Sequence, residues 1–138
     1  MWATAVLIFM TILTISYIPS GQDASALRAS ARANAIAHNF LSYERAVSAY
    51  ADANPTWDGA LANVQTVNIA SSQNAVTASY VAVWAVLDGP TQGEVFRLSK
   101  SAALGTKTNG RFLSQAGVAG NTLPAGIPNG ATVYYRSR

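Results

Sequence analysis

The sequence predicts an α+β fold with an N-terminal single transmembrane helix, a long amphipathic helix, and a small, mostly antiparallel sheet with a second helix. Three observations predict it. Residues 1–18 carry no charged side chain, residues 24–54 repeat apolar side chains at spacings of three and four, and residues 64–138 hold short Val- and aromatic-rich runs between turn signals. We therefore expect a transmembrane anchor at 1–18 and one α+β domain at 19–138.

The apolar run at the start of the sequence is long enough for a membrane span. As a helix, residues 1–18 reach about 27 Å, against about 30 Å for a hydrocarbon core, and a Pro-Ser-Gly sequence at 19–21 ends the run. One alternative is a cleaved signal peptide with the Ala-Ser-Ala sequence at 24–26 as its cleavage site, but no Lys or Arg precedes the run. Another is a buried core helix of a soluble protein, which the apolar character on all faces of the helix disfavours. We expect an uncleaved anchor. Arg28 and Arg32 weakly favour a cytoplasmic C-terminal side.

Residues 24–54 are predicted to form one amphipathic helix that ends before Pro55, since the residue before proline avoids the helical region. Alanines begin its apolar face and large side chains continue it. We call the large residues the helix stripe and regard them as a candidate interaction face. The helix stripe consists of Ile36, Phe40, Tyr43, Val47 and Tyr50. Two interpretations remain open: the helix stripe packs on the domain's own sheet, or it binds a partner helix.

Three runs in the second half of the chain are predicted to be strands. Residues 75–87 are apolar on both faces of an extended chain, which is typical of a central strand. A short strand is expected at 64–69 and a final strand at 131–135. In the final strand, Tyr134 and Tyr135 should place one ring on each face of the sheet.

A helix and a hairpin are predicted between these strands. Helical spacing of apolar residues indicates a helix over 93–104. Residues 106–114 should form a hairpin around Asn109 and Gly110, a strong turn signal. The glycines of 105–110 have the spacing of a phosphate-binding loop, but the Lys and Ser or Thr that such a loop requires do not follow them. The hairpin explains these glycines better.

Composition excludes several classes of protein. The charged fraction is 11% and the net charge +3, so the chain is unlike a disordered tail, and its basic residues form no dense patch of the kind that binds nucleic acid. The sequence contains no cysteine, which excludes disulfides, thiol catalysis and zinc–cysteine sites. We expect no nucleic-acid partner.

The sequence shows no catalytic constellation. His38 is the only histidine, faces away from the helix stripe, and has Asn34 and Ser42 rather than carboxylates as helical neighbours, so we expect it to be solvated. Asp52 and Asp58 are close in sequence, but a proline and a turn separate them. One histidine without cysteine cannot form an ordinary zinc site. We therefore predict no catalytic residue, metal site or cofactor.

Several segments resemble a known family. They are the Val- and Trp-rich strand at 80–87, Gly-Arg-Phe-Leu-Ser at 110–114, and Leu-Pro-Ala-Gly-Ile-Pro-Asn-Gly-Ala-Thr-Val-Tyr at 123–134. Together with the apolar start and the alanine-rich helix, they resemble the PilM family of type IVb (thin) pilus systems, found on conjugative plasmids and some bacterial chromosomes. The resemblance is not to the longer, nucleotide-binding, actin-like protein of the same name in type IVa systems.

The resemblance implies a non-enzymatic inner-membrane component of pilus biogenesis, in the basal body or in pilin transport, with its C-terminal domain in the periplasm. It implies other pilus assembly proteins or pilin as partners, and a homo-oligomer is possible. From the anchor, the helix stripe and the absence of a catalytic site, we expect these partners to dock on the helix stripe or on a sheet edge. It supplies no catalytic residue.

Two alternative functions remain. The first is a minor pilin or pseudopilin, which the break at 19–21 and the absence of glutamate near the start of the apolar run disfavour. The second is a periplasmic peptide- or carbohydrate-binding module, suggested by Trp57, Tyr134 and Tyr135.

Overall fold

The computed structural model describes residues 21–62, 64 and 69–138. The helices are α1 (Gly21–Ala53) and α2 (Gly89–Ser99). The strands are β1 (Gln73–Val76), β2 (Tyr80–Ala85), β3 (Leu104–Thr108), β4 (Arg111–Ser114), β5 (Ala119–Thr122) and β6 (Thr132–Ser137).

The chain divides into two compact units, Met1–Arg32 and Ala33–Arg138. The described part of the first unit is the beginning of α1, where the side chains from Ser25 to Arg32 are exposed. The second unit contains the remainder of α1, α2 and all six strands.

The strands of the second unit form one antiparallel sheet in the order β1-β2-β6-β3-β4-β5. The strand that comes last in the chain, β6, lies between β2 and β3 and pairs along its whole length with β2, from Tyr80 opposite Ser137 to Ala85 opposite Thr132. The edge strands are β1 and β5.

Each face of the sheet is covered. Because successive strand residues point to opposite faces, Val81 and Val83 of β2 join the core that contains α1, α2 and β3, whereas Ala82 between them joins the opposite core. The first core buries Phe40 and Val47 of α1 completely. The second core contains Phe112, Leu123, Ile127, Ala131 and Val133, so the loop from 123 to 131 covers the second face.

The predicted fold class is wrong. The described residues form one long helix and a six-stranded antiparallel sheet with a short second helix. No helix within residues 21–62 or 69–138 is long and apolar enough to cross a membrane. Residues 1–18, to which the transmembrane helix was assigned, lie outside the described residues. The long helix was predicted over 24–54 and spans Gly21–Ala53.

The single central strand predicted at 75–87 is two strands joined by a tight turn, β1 and β2. The hydroxyl oxygen of Thr77 accepts hydrogen bonds from the backbone N–H groups of Ser79 (3.2 Å) and Tyr80 (3.1 Å). A threonine side chain that bonds its own turn competes with a continuing strand. Ala75 thereby lies opposite Ala82, and the apolar run folds back on itself.

Two further predictions need correction. The second helix begins at Gly89 rather than 93, because the Asp88 side chain accepts a hydrogen bond from the Thr91 N–H (2.9 Å) and caps it. It ends before Lys100, which is left-handed (φ 48°), so residues 101–104 are not helical. Strand β5 was not predicted. The strand predicted at 64–69 falls largely on residues 65–68, outside the described part of the chain.

The hairpin prediction is confirmed. Strands β3 and β4 pair from Gly105 opposite Ser114 to Thr108 opposite Arg111. The turn residues Asn109 and Gly110 both have positive φ (49° and 78°), the conformation that a two-residue hairpin of this kind demands.

Candidate functional site

The structure places most of the helix stripe in the core. Phe40 and Val47 have no exposed surface and Tyr43 retains 6%. Ile36 is half-buried against the same core, and Tyr50 is 41% exposed. The packing of the helix on its own sheet therefore accounts for the three buried residues. A role of these five residues in partner binding stays a prediction.

Asn74 of β1 links the helix stripe to the loop after α1. Its side-chain Nδ2 donates to the Tyr43 hydroxyl (2.7 Å) and to the Leu61 carbonyl (3.0 Å), and its Oδ1 accepts from the Leu61 N–H (2.7 Å). Asn74 is 7% exposed. A buried amide with its partners satisfied fixes the geometry of the groups around it. Asn74 thus holds Leu61, and with it the wall of the adjacent groove, against α1.

An apolar groove of about 590 Å³ lies between the end of α1 and the loop that follows it. At its centre the rings of Tyr50 and Trp57 meet edge to face, with centroids 5.6 Å apart and planes at 88°. Trp57 is 39% exposed, and its indole N–H donates to the Gly59 carbonyl (3.3 Å). The remaining walls are aliphatic. They are formed by Ala46, Ala60, Leu61, Ala62 and Val64. We call this the Tyr50–Trp57 groove.

The lining of the Tyr50–Trp57 groove determines what it can bind. None of the seven described residues that line it is charged. Such a surface can bury an apolar side chain but holds no acid, base or metal ligand. Aromatic residues of this kind are typical anchors of protein interfaces.

A second hollow, of about 490 Å³, lies at the opposite side of β2, beside Trp84, Val86 and Pro128. Val86 is 71% exposed. Its other lining residues are mostly small, among them Ala70, Ala125 and Gly126.

The three aromatic residues that suggested a carbohydrate-binding module do not form one surface. Tyr134 packs on the core with α1, whereas Tyr135 packs on the opposite core and stacks on Tyr80 (centroids 5.5 Å apart). The prediction of one ring on each face is thereby confirmed. Trp57 stacks on neither tyrosine and instead contacts Tyr50.

Lys107 is used inside the fold. It is 5% exposed, and its Nζ donates to the carbonyl oxygens of Pro124 (2.8 Å) and Ile127 (2.7 Å). The ammonium group therefore fixes the loop that covers the second face of the sheet. This role was not predicted, because a lysine next to a hairpin turn is usually solvated. The signal was the pairing of Lys107 with the apolar Phe112 across the hairpin.

Arginines of β6 and the residue after it bind the end of α1. Arg138 donates from its guanidinium to the carbonyl oxygens of Asn54 (3.1 Å) and Thr77 (2.9 Å), and to that of Ala51. The contacts with Ala51 and Asn54 satisfy carbonyls at the helix end, where intrahelical partners are lacking. Arg136 forms an ion pair with Asp52 (2.6 Å), so Asp52 is not paired with a second carboxylate.

Glu44 is a carboxyl group on the buried side of α1. It is 9% exposed, and its Oε1 accepts a hydrogen bond from the Ser48 hydroxyl (3.0 Å). Burial raises the pKa of Glu44 above its ordinary value, and the hydrogen bond from Ser48 and the charges of Arg45 and Arg136 partly oppose that shift.

His38 is exposed, as predicted. The nearby Glu94 carboxylate accepts hydrogen bonds from Arg97 (2.8 and 2.6 Å) and from the Asn34 amide (2.8 Å). The hydrogen bonds from Arg97 hold the pKa of Glu94 at about 2, so this carboxylate is a surface ion-pair partner. Within residues 21–62, 64 and 69–138, no group of three or more His, Asp or Glu side chains could hold a metal ion.

The comparisons with known proteins agree with the resemblance seen in the sequence. The PilM family model matches residues 7–135. The chain is similar to the crystal structure of a protein PilM from Escherichia coli B7A, with 26% identity and a TM-score of 0.65 over 77% of this chain and 92% of that one. No curated protein matches. The chain therefore belongs to the PilM family of pilus-related proteins, and not to the actin-like proteins of the same name.

Proposed function

We propose that the protein is a non-enzymatic component of the type IVb pilus assembly apparatus and that it docks an apolar side chain of another assembly protein in the Tyr50–Trp57 groove. The observation that carries this proposal is the groove itself, an uncharged aromatic site of about 590 Å³ on a PilM-family chain. Partner binding that is centred on a few aromatic anchors is the usual energetic pattern of protein interfaces.

The surroundings of the groove support a docking role. Asn74 of β1 ties Leu61 of the loop to Tyr43 of α1, and the Arg138 guanidinium donates to the Trp57 carbonyl (3.3 Å), so the walls are held in place before a partner arrives. A preformed site loses less conformational entropy on binding than a flexible one. Removing the exposed apolar surface of Tyr50 and Trp57 from water then contributes favourably to the free energy of binding.

The chemistry of the described residues supports a non-enzymatic role. Lys107, Asp52 and Glu94 each bind another group of the fold, and none of them lies in the Tyr50–Trp57 groove. The groove therefore offers contact surface without a reacting group.

The location and the stage of assembly are part of the proposal and follow from the family resemblance. We place the domain on the periplasmic side of the inner membrane, in the basal body or in pilin transport. Its partners there are other pilus assembly proteins or pilin.

Complementation of a gene deletion tests the docking site. The deletion should abolish piliation and leave pilin cleavage intact. A Tyr50→Ala, Trp57→Ala double variant should fail to restore pili although it folds, since both side chains are about 40% exposed. The variant loses their mutual contact, worth about 1 kcal/mol, and the hydrogen bond from the Trp57 indole to the Gly59 carbonyl, worth about 1 kcal/mol more. Circular dichroism and a thermal melt establish folding.

The matched control is Val86→Ala, which removes an exposed apolar side chain (71% exposed) outside the groove and should restore pili fully. Full piliation with the double variant would show that the groove is not the docking site. Purified filaments that contain this chain as a stoichiometric subunit would instead favour the minor pilin.

A further inference from the structure

The two edge strands of the sheet, β1 and β5, differ in whether their outer side is paired. The outer side of β1 is occupied by the loop after α1, because Gly59 and Val76 exchange both backbone hydrogen bonds, N to O, at 2.7 and 3.2 Å. Strand β5 pairs with β4 on one side, and among the described residues nothing pairs with its other side. The sheet therefore presents one open edge.

The outer edge of β5 carries no blocking charge or proline; its protection is limited to its short length of four residues and a β-bulge in its pairing with β4. All four residues of β5 are exposed, and the segment from 115 to 123 contains no charged residue and no proline. Natural edge strands are commonly blocked by a lysine, a proline or another charged side chain. The small side chains of Ala119 and Gly120 leave the backbone groups of β5 accessible to another strand.

Strand β5 is held firmly on its inner side. Its end is fixed by the buried Leu123, whose N–H donates to the Gly110 carbonyl (2.9 Å), and Ser114 donates from its N–H to the Val118 carbonyl (3.0 Å) at its beginning. A fixed strand can accept a neighbour without first becoming ordered, and strand addition of this kind takes its affinity from backbone hydrogen bonds.

Two basic residues lie near the ends of β5 on neighbouring segments. Lys100 lines a hollow of about 280 Å³ together with Gln115 and Ala116, which precede β5. At the end of β5, Arg111 of β4 lies opposite Thr122. Lys100 and Arg111 are exposed, and neither forms an ion pair with any residue in the described part of the chain.

This charge pattern argues against a second copy of the chain as the neighbour. Two β5 strands that pair antiparallel around a two-fold axis would bring Lys100 of one copy towards Arg111 of the other, and like charges at such positions are unfavourable. A pair of four-residue strands also buries far less than the roughly 1,200 Å² of a stable specific dimer.

We propose that β5 accepts an extended segment of another protein as a seventh strand, and that this segment has an uncharged, β-branched centre and acidic residues near both ends. The backbone groups of β5 supply the hydrogen bonds, and Lys100 and Arg111 attract the acidic ends and set the register. This inference does not depend on the Tyr50–Trp57 groove, which is formed by different residues.

Synthetic peptides test the proposal on the full-length protein. The probe is Asp-Thr-Val-Thr-Val-Thr-Glu, compared with a Lys-ended peptide of the same centre and with an acidic-ended peptide whose valine amides are N-methylated. The first peptide should slow hydrogen exchange at the amides of β5, and the other two should bind more weakly. Absence of exchange protection in β5 at millimolar peptide, or equal binding of the N-methylated peptide, overturns the proposal.

Charge reversal tests the role of the flanking residues. The double variant Lys100→Glu, Arg111→Glu should bind the acidic-ended peptide about tenfold more weakly at low salt and should prefer the Lys-ended peptide. The matched control is Arg32→Glu, which reverses an exposed charge on α1 and should leave binding unchanged. Unchanged affinity of the double variant contradicts the assigned register. Self-association of the protein with β5 protected would identify a second copy as the occupant and refute the proposal.

Discussion

Replacing Gly105 with alanine should destabilise the sheet, because β3 and β4 approach each other too closely at this point for any side chain. A Cβ atom built on Gly105 would lie 2.1 Å from the carbonyl oxygen of Leu113 and 2.9 Å from Cζ of Phe112. The oxygen belongs to the backbone of the paired strand, so the clash cannot be relieved by rotating a side chain. The two strands would have to separate.

The magnitude follows from the terms that change. Overpacking costs about 1–3 kcal/mol, and weakening a ladder hydrogen bond costs about 1 kcal/mol more. Alanine lowers the conformational entropy of the unfolded chain relative to glycine, and this offsets about 0.4–1 kcal/mol of the lost stability. We therefore expect the free energy of unfolding to fall by about 2 kcal/mol and the Tm to fall by about 10 °C. Urea unfolding followed by tryptophan fluorescence measures the first quantity, and calorimetry measures the second.

The matched control is Gly93→Ala. Gly93 lies within α2, and a Cβ there would meet nothing within 4 Å. Alanine is favoured over glycine in a helix by up to about 1 kcal/mol, so this variant should be more stable than the native protein. A Gly105→Ala variant that unfolds within about 0.5 kcal/mol of the native protein would refute the close approach of the two strands, since that is the range of a neutral surface substitution.

Two further substitutions have predicted effects on stability. Lys107→Met should lower the free energy of unfolding by about 2 kcal/mol, since it removes two buried hydrogen bonds from the ammonium group, to the carbonyls of Pro124 and Ile127. Lys100→Met at an exposed site should change it by less than about 0.5 kcal/mol, and equal effects of the two variants in urea unfolding would contradict the buried contact. Because the pKa of Glu44 is raised in the folded state, the native protein binds more protons than the unfolded chain between the two pKa values, so this group makes stability rise as pH falls towards about 4.5. Glu44→Gln should therefore stabilise the protein at pH 7 to 8 and not at pH 4, and a pH-independent difference would contradict the assignment.

Local signals in the sequence were sufficient for several elements. The hairpin at Asn109 and Gly110 needs only the two positive φ angles that these residues adopt readily. The alternation of Tyr134 and Tyr135 across the sheet follows from the geometry of any strand. The long helix ends near Pro55 because that residue restricts the one before it.

Other features depended on competing local interactions that composition does not reveal. The hydroxyl of Thr77 stabilises a turn that separates β1 from β2 within an apolar run predicted to be one strand. Asp88 capped α2 earlier than the apolar spacing indicated. In both cases a side chain formed a hydrogen bond with a nearby backbone group, and such bonds outweigh hydrophobic periodicity over a few residues.

The sequence by itself determined the family, the long helix and the β hairpin, because motifs, helical periodicity and turn residues are properties of neighbouring positions. Only the tertiary structure decided whether a side chain is buried when the residues around it come from distant segments. Phe40 and Val47 are buried because they share one core with residues of β2 and α2. Lys107 became buried because the loop at 123–131 folds over it. The strand order decided which edge is open: Gly59 closes β1, while β5 was left without an outer neighbour among the described residues.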